Sequence, residues 1–381
     1  MDATTHAALV SAYFTPHDVA RGAARAFATD VGFGLETLLD TLLVVLLALS
    51  PLGRALYDRV GNAKRPWLGD ALFCALVQLS RSVLALPVEL WRDFENARAL
   101  GLSHETLARF LQLAGRDALL GALAFALVGA SLPLLRARLP KRWWLALGLA
   151  GALGLVADAA VDPYRMELDY QLTPLAQGPL RARLERLIAR HSGHLGEIVV
   201  ADTSKDTTSE NAFVTGFGPT RKLVLTDTLV ALGDDAVAGA VAHELGHRRS
   251  ERLPRRLALA AAGFLGFLWL VERLVRFALA HGARSPAQAL PLVIAAVTVL
   301  SLVAMPLRAA LGRAEEREAD ELELQTRKNL DAYVHEQVEL ARANALEPDP
   351  TGFDRLVATH PSPVERIARA LWYKAKDEEH R

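Results

Sequence analysis

The residues with the clearest chemical potential form the pentapeptide HELGH, residues 243–247. On a helix, His243 and His247 lie on one face, one turn apart. Two imidazoles so placed can bind one zinc ion, and Glu244 beside them can move a proton from water to a leaving amine. The spacing therefore predicts a zinc-dependent hydrolytic site, with plain surface histidines as the simpler alternative. The apolar run VAGAVA before the motif argues against that alternative, because a buried histidine needs a partner.

A catalytic zinc ion has three protein ligands and one open position, so a third ligand must lie elsewhere in the chain. The candidate segment is GRAEEREADELELQ, residues 312–325. From residue types alone, a solvated charged helix is one interpretation of this segment. The other is that one of its glutamates binds the metal, and four could serve: Glu315, Glu316, Glu318 and Glu321.

Six stretches have the length and composition of membrane-spanning helices, since about 20 residues cross the ~30 Å hydrocarbon core. They lie near residues 34–53, 70–90, 117–135, 143–161, 257–277 and 288–307. His247 precedes the fifth stretch by about ten residues, and Glu316 follows the sixth by about nine. A membrane hairpin thus separates the two segments and returns the chain to the same side. We therefore expect the N-terminus, both soluble segments and a metal site close to the membrane surface to share one side.

The soluble segments show a mixture of helix and strand patterns. An amphipathic helix is predicted over residues 178–193, ending at Gly193, and strands over 197–202 and 222–230. The HELGH helix is predicted to begin at Asp234 or Asp235. After the sixth apolar stretch, the chain is predicted to be helical from Ala314 to about Asn344, to break at EPDPTG and to resume after Pro363.

Charge and cysteine content exclude several classes of function. Lys plus Arg equals Asp plus Glu at 43 each, and the basic residues lie beside acidic ones or at the ends of apolar blocks, so we expect no nucleic-acid binding. The single cysteine, Cys74, lies in an apolar block, which excludes an internal disulfide and a Cys-based zinc site. The first thirty residues contain no apolar run, so we expect no cleavable signal peptide.

Four ordered motifs resemble a known family, the integral-membrane zinc peptidases of the type I CAAX prenyl protease group, which are related to the HtpX heat-shock proteases. The motifs are NAFVTGFGPTRKLVLTDTLV, AVAHELGHRRSER, RAEEREAD and HPSPVERI. The similarity also extends upstream through VDPYRMELDYQLTPLAQGPLRARLERL and covers roughly residue 70 to the C-terminus.

The resemblance implies roles for individual residues. The family pattern ExxAD selects Glu316 as the third zinc ligand and Asp320, one turn later, as a partner of a ligand histidine or an aid to proton transfer. His360 matches a histidine near the zinc that stabilises the oxyanion. For Asp320 and His360 the alternatives are a solvated helix charge and a polar residue before a helix. Three residues match a strand that pairs with substrate backbone beside the active site: Asn211, Ala212 and Phe213.

The sequence departs from the family in its span count, and its orientation raises a second question. The eukaryotic CAAX proteases resemble a seven-helix barrel around a large chamber, whereas six spans are predicted here, so closure of a chamber stays open. The resemblance implies a site facing the cytoplasm, and we follow it. The positive-inside rule favours the opposite orientation. The short loops on the other side carry the basic residues Arg54, Arg59, Lys64, Arg65, Arg136, Arg138, Lys141 and Arg142.

Together these observations predict a mainly α fold, a polytopic membrane helical bundle of about six spans with a zincin-like α+β catalytic domain. We divide the chain into an N-terminal segment with a four-helix membrane domain (1–162), a catalytic domain with the HELGH helix (163–255), a transmembrane hairpin (256–308) and a C-terminal catalytic segment with the third zinc ligand (309–381).

The expected function is that of a membrane-embedded zinc metalloendopeptidase with one zinc ion per chain, in a bacterial inner membrane with its site on the cytoplasmic side. Its partners would be the lipid bilayer and peptide or membrane-protein substrates, prenylated as the resemblance implies. The Ala-, Leu- and Arg-rich composition is typical of a GC-rich bacterium, where prenylated CAAX proteins are not expected. HtpX-like quality control of membrane proteins is therefore an alternative, and a non-enzymatic zinc-bound scaffold or transporter is another.

Overall fold

The computed structural model describes residues 3–62, 64–191, 196–248, 253–327 and 329–379. Within these ranges the chain is mainly helical and contains one four-stranded sheet. The predicted fold, a membrane helical bundle with a smaller α+β part, is confirmed.

Six helices in the described part of the chain are long and apolar enough to cross a membrane, as predicted. Four of them lie in the first half, where a π-helical turn, Leu90–Asn96, extends the second. The helices of this half are α1 (Ala3–Tyr13), α2 (Pro16–Leu49), α3 (Pro51–Val60), α4 (Pro66–Glu89), α5 (Ala97–Ala99), α6 (Leu107–Arg138) and α7 (Trp143–Asp169).

The first span differs from the prediction at both ends. It begins at Pro16, where Thr15 and Asp18 form a capping box, because a helix can start in polar residues before it becomes apolar. It ends at Leu49, whereas the prediction ran to residue 53. The Ser50 hydroxyl accepts a hydrogen bond from the Leu52 amide, and Pro51 takes the first position of α3. The chain therefore starts a new helix where the hydropathy pattern continues.

The second half contains the remaining two spans, α11 and α12, and the helices of the soluble part. They are α8 (Pro179–His191), α9 (Asp227–Ala231), α10 (Asp234–Arg248), α11 (Leu253–Ala280), α12 (Leu290–Thr326), α13 (Leu330–Ala343), α14 (Gly352–Val357) and α15 (Pro363–Glu379). The predicted end of α8 at Gly193 lies outside the described residues.

The sheet has the strand order β1-β2-β4-β3. Its central strands β2 and β4 are parallel, and the outer two pair antiparallel with them. Both faces are covered: α8 and α10 pack on one, and Met166 and Tyr170 from the end of α7 pack on the other. The sheet is therefore joined directly to a membrane helix. The strands are β1 (Leu172–Pro174), β2 (Glu197–Ala201), β3 (Ala212–Thr215) and β4 (Lys222–Thr226).

The predicted strand over residues 222–230 is correct only as far as Thr226. The Thr226 hydroxyl accepts a hydrogen bond from the Leu229 amide at 3.2 Å and so caps α9. The β-branched residues after it favoured a strand in the sequence, but the cap turns them into a helix.

Helix α12 runs unbroken from an apolar span into the soluble part. The tail helix predicted from Ala314 to Asn344 is therefore wrong in its boundaries, because its first part belongs to α12, which ends at Thr326. The Asn329 side chain then caps α13 by accepting hydrogen bonds from the next turn. One residue of α10, Gly246, lets α12 approach closely, since a Cβ there would lie 2.6 Å from Cα of Ala319.

The N-terminal residues pack against the C-terminal segment. Phe14, 6% exposed, lies in a core with Tyr333 and Ile367 of α13 and α15. The Arg342 guanidinium contacts the Asp18 carboxylate at 3.1 Å and donates to the carbonyl of Tyr13 at 3.0 Å. The N-terminal residues therefore share a core with the C-terminal helices α13 and α15.

Candidate metal centre

Helix α10 presents the two motif histidines side by side. Val237, Val241 and Leu245 recur every four residues and are fully buried toward the sheet, which fixes the rotation of the helix. His243 and His247 then lie on another face, and their Nε2 atoms are 3.2 Å apart. The local sequence thus folds as the spacing predicts.

Glu316 on α12 meets both imidazoles. Its Oε2 lies 3.3 Å from Nε2 of His243, and its Oε1 lies 3.4 Å from Nε2 of His247. Of the four glutamates that residue types alone left open, the structure brings Glu316 to the histidines. The membrane hairpin of α11 and α12 lies between these residues in sequence and returns α12 to α10.

The spacing of these three side chains fits a metal ion. Nitrogen and oxygen ligands about 2.0–2.1 Å from a tetrahedral zinc ion are separated from one another by roughly 3.3 Å. The separations here are 3.2, 3.3 and 3.4 Å. The first is the distance between the two imidazoles, and the other two join each imidazole to a different oxygen of Glu316. Two imidazole nitrogens and one oxygen of Glu316 would form a three-atom face of a tetrahedral site and leave its fourth position open.

The charges around this face also fit a cation. Burial alone would lower the pKa of His243, but the nearby Asp320 and Glu316 carboxylates raise it to about 10. Carboxylates also outnumber guanidiniums in the cluster of charged side chains around the imidazole. The cluster consists of Glu316, Asp320, Glu323, Glu336, Arg327 and Arg366.

Asp320 lies behind His243, away from the three-atom face. Its Oδ1 is 3.1 Å from Nδ1 of His243, although the angles depart from those of a well-formed hydrogen bond. The Arg366 guanidinium lies between the two carboxylates of α12, 2.9 Å from Oε2 of Glu316 and 3.4 Å from Oδ2 of Asp320. A buried carboxylate on the second nitrogen of a metal-binding histidine orients the ring.

Glu244 and His360 lie near the same face. Burial raises the pKa of the Glu244 carboxyl above its usual range, with the negative charge of Glu316 adding to the effect. A carboxylate of higher pKa is a stronger base near neutral pH. His360 precedes α15, and its Nδ1 lies 2.9 Å from Oε2 of Glu316. Its side chain is 66% exposed, so it remains open to a ligand from solvent.

The three residues assigned to a substrate strand lie at the edge of the sheet. Asn211 precedes β3, and Ala212 and Phe213 pair with Leu225 and Val224 of β4. On its other side β3 has no strand partner among the described residues, and it contacts α10. This edge therefore offers an extended peptide a place to pair as an added strand beside α10, the helix with the two motif histidines.

Sequence reasoning missed three charged residues of the centre. Arg366 lies within the quoted motif HPSPVERI, so a signal for it was present. Glu323 and Arg327 follow the ExxAD pattern without any distinguishing spacing. Their partners, His243 and Glu336, lie in other helices, so only the helix packing reveals them.

Comparison with known proteins adds independent information. Residues 174–373 match the model of Peptidase family M48. The chain is 29% identical to an uncharacterized metalloprotease, YhfN, of Bacillus subtilis over 60% of this chain and 56% of the relative. It is 30% identical to a CAAX prenyl protease 1 homolog of Oryza sativa over 49% of this chain and 44% of the relative. The chain spans about half the length of these curated relatives.

The crystal structure of S. mikatae Ste24p has a similar fold, with a TM-score of 0.69 and 17% identity over 94% of this chain and 99% of that chain. A Protease HtpX homolog of Salinibacter ruber is 29% identical over 42% of this chain and 62% of the relative. The family match covers the HELGH helix, the ExxAD helix and His360 alike, and the described residues contain six helices long and apolar enough to span a membrane. The chain therefore belongs to Peptidase family M48 as an integral, multi-pass membrane member.

Proposed function

We propose that this protein is a zinc metalloendopeptidase that hydrolyses peptide bonds near the membrane surface. The observation that carries the proposal is the meeting of three side chains, His243, His247 and Glu316. The two Nε2 atoms lie 3.2 Å apart, one Glu316 oxygen lies 3.3 Å from the first, and the other oxygen lies 3.4 Å from the second. Their number, type and spacing fit one zinc ion with an open position. The match to a peptidase family favours this function over a scaffold or transporter.

Each side chain around the open position has a separate task. Zinc, when bound, polarises the scissile carbonyl and lowers the pKa of a water molecule to about 7. Glu244 takes a proton from the attacking water and delivers it to the leaving amine. His360, exposed beside Glu316, donates a hydrogen bond to the oxyanion that develops on the carbonyl. Asp320 holds the ring of His243 in orientation.

The substrate segment binds as an added strand along β3. The backbone carbonyl of Asn211 accepts a hydrogen bond from the Thr226 amide, so the backbone groups of Asn211 point toward β4. In an antiparallel pair the backbone groups of every second residue point the same way. The backbone groups of Ala212 and Val214 therefore point to the free edge. A peptide paired with them lies beside α10, which carries the base and two ligands.

The substrate class follows from the membrane setting and from the relatives. Relatives named as CAAX prenyl proteases and as an HtpX homolog both match this chain. Of the two substrate types these names suggest, a prenylated C-terminal peptide is our main hypothesis, and an unmodified membrane polypeptide is the second. We place the site on the cytoplasmic side of a bacterial inner membrane.

One experiment tests the activity and the substrate together. Purified, zinc-loaded protein is incubated with a farnesylated peptide, the same peptide unmodified, and an unfolded membrane polypeptide, and the cut sites are mapped by mass spectrometry. We expect cleavage that a chelator stops and zinc restores. If none of the three substrates is cut while zinc is bound, the peptidase proposal is wrong and a scaffold becomes the better interpretation.

A further inference from the structure

The second ring nitrogen of His243 has an unusual environment. Its Nδ1 is buried and lacks a well-aligned hydrogen-bond partner, although two carboxylates lie close to it. Asp320 Oδ1 is 3.1 Å away, and Glu323 Oε2, one turn further along α12, is 3.7 Å away. The Nδ1 side of the ring therefore faces two carboxylates without a well-aligned hydrogen bond to either.

Glu323 is held in this place by its other oxygen. Its Oε1 accepts a hydrogen bond from the Arg327 guanidinium at 2.9 Å, which leaves Oε2 toward His243. Arg327 is itself buried and makes two contacts of 2.7 Å with Glu336 of α13. Its guanidinium also lies 5.4 Å from the ring centre of Tyr333. A buried carboxylate with a fixed, charged partner is a rigid acceptor.

Helix α10, which carries His243, leaves space for the Arg327 guanidinium. Gly239 lies one turn before His243 on α10, and a Cβ at this position would lie 1.4 Å from a terminal nitrogen of Arg327. The guanidinium therefore rests on the backbone of α10 where a side chain is missing. The path from Glu336 through Arg327 and Glu323 to His243 is continuous and runs across three helices.

We propose that Glu323 is a second positioning residue for His243, acting beside Asp320 through its negative charge on the Nδ1 side of the ring, and that Arg327 fixes Glu323 in that role. The proposal rests on the proposed zinc site. Two carboxylates on the Nδ1 side of the ring increase the basicity of the opposite nitrogen and restrict rotation of the ring. Zinc binding at Nε2 should therefore weaken when either carboxylate is lost, and weaken further when both are lost.

The test is zinc affinity of the apo protein in detergent, measured by competition with a chromophoric chelator, for Glu323→Gln, Asp320→Asn and the double variant. We expect each single variant to bind zinc about tenfold more weakly. Because one carboxylate partly replaces the other, the loss in the double variant should exceed the product of the single losses.

Glu336→Gln is the matched control. It removes the same charge from the same guanidinium but does not touch His243, so its zinc affinity should stay within about threefold of the wild type. If Glu323→Gln weakens zinc no more than Glu336→Gln does, Glu323 has only a structural role and the inference is wrong. If the wild type itself binds no zinc, the proposed zinc peptidase function is wrong, and this result is distinct from a failure of the Glu323 inference alone.

A second variant covers the case in which Glu323→Gln does not fold. Glu323→Asp keeps the negative charge for Arg327 but shortens the side chain, so the carboxylate no longer reaches both Arg327 and His243. We expect this variant to unfold near the wild-type temperature and still to bind zinc about tenfold more weakly. Wild-type zinc affinity in a folded Glu323→Asp protein would contradict the proposal.

Discussion

At the scale of single residues, Glu244 and the metal ligands have different tasks that mutations can separate. Glu244→Gln keeps the size of the side chain but cannot accept a proton. We expect kcat to fall by about 10²–10⁴-fold while one zinc ion per chain remains bound. Peptide turnover and zinc content measured on the same sample check this. Substantial remaining hydrolysis would mean that another group serves as the base.

Glu316→Ala should act on the metal and not on the proton transfer. Its carboxylate supplies one of the three atoms of the metal face, and its removal leaves the two imidazoles alone. We expect zinc content below one ion per chain after dialysis, with activity partly recovered in excess zinc. Full zinc content in the dialysed variant would remove Glu316 from the proposed ligand set.

The sequence predicted which residues meet at this centre where one helical turn fixes their spacing. That holds for His243 with His247, whereas the family resemblance selected Glu316 and Asp320 from a segment in which residue types left four glutamates open. The structure brings all four together. The sequence did not predict Glu323 or Arg366 at the centre. Their contacts depend on how α10, α12 and α15 cross, and crossing is a property of packed helices that no local pattern contains.

At the scale of elements, β3 offers a test of substrate binding by strand addition. Val214→Pro removes an outward-facing N–H without removing a ladder bond to β4, because Val214 points to the free edge. We expect kcat/KM to fall about fivefold to tenfold, mainly through KM, as for the loss of one backbone hydrogen bond. Steady-state kinetics on a peptide substrate measure the change.

Two controls accompany this variant. Its zinc content should match that of the wild type, since the metal ligands are unaltered. Its unfolding temperature should fall only slightly, because the β3–β4 pairing is kept and only the packing of the Val214 side chain on the core is reduced. An unchanged KM in a folded, zinc-loaded Val214→Pro protein would show that substrate does not pair with this edge.

Elements defined by a long apolar pattern were predicted well, and those decided by a cap were not. The six spans were found because about 20 apolar residues leave few alternatives. The errors fall at Ser50, Thr226 and Asn329, where one side-chain oxygen starts a new helix within a continuing pattern. A cap contributes about 1 kcal/mol, which is enough to move a boundary but too little to show in composition.

At the scale of the whole molecule, the N-terminal residues and the C-terminal segment stabilise each other. Phe14→Ala should lower the free energy of unfolding by about 3 kcal/mol, because its ring is 6% exposed within the core shared with α13 and α15. Thermal unfolding in detergent checks the value. The same change at Phe353, which is 58% exposed, should cost less than about 1 kcal/mol. Equal losses at both positions would contradict the packing described above.

The sequence did not predict this packing of the N-terminal residues on α13 and α15, because residues 1–162 were assigned to a unit separate from residues 309–381. Contacts between residues more than three hundred positions apart, such as Asp18 with Arg342, leave no periodic signal. They arise only after the spans have brought both ends of the chain to the same side.

The unbroken course of α12 has a mechanical consequence. Glu316 lies ten residues beyond Pro306 in the same helix, about 15 Å further along its axis. This stretch of α12 is an arm that connects the apolar span to the site. Rotation of this arm by about 5° would move the carboxylate by about 1.3 Å, more than a metal bond tolerates. Helices tilt to match the thickness of the surrounding lipid. We therefore expect turnover in nanodiscs to change as the acyl chains lengthen from about 14 to about 18 carbons. Identical rates across that series would show that the position of the arm does not depend on bilayer thickness.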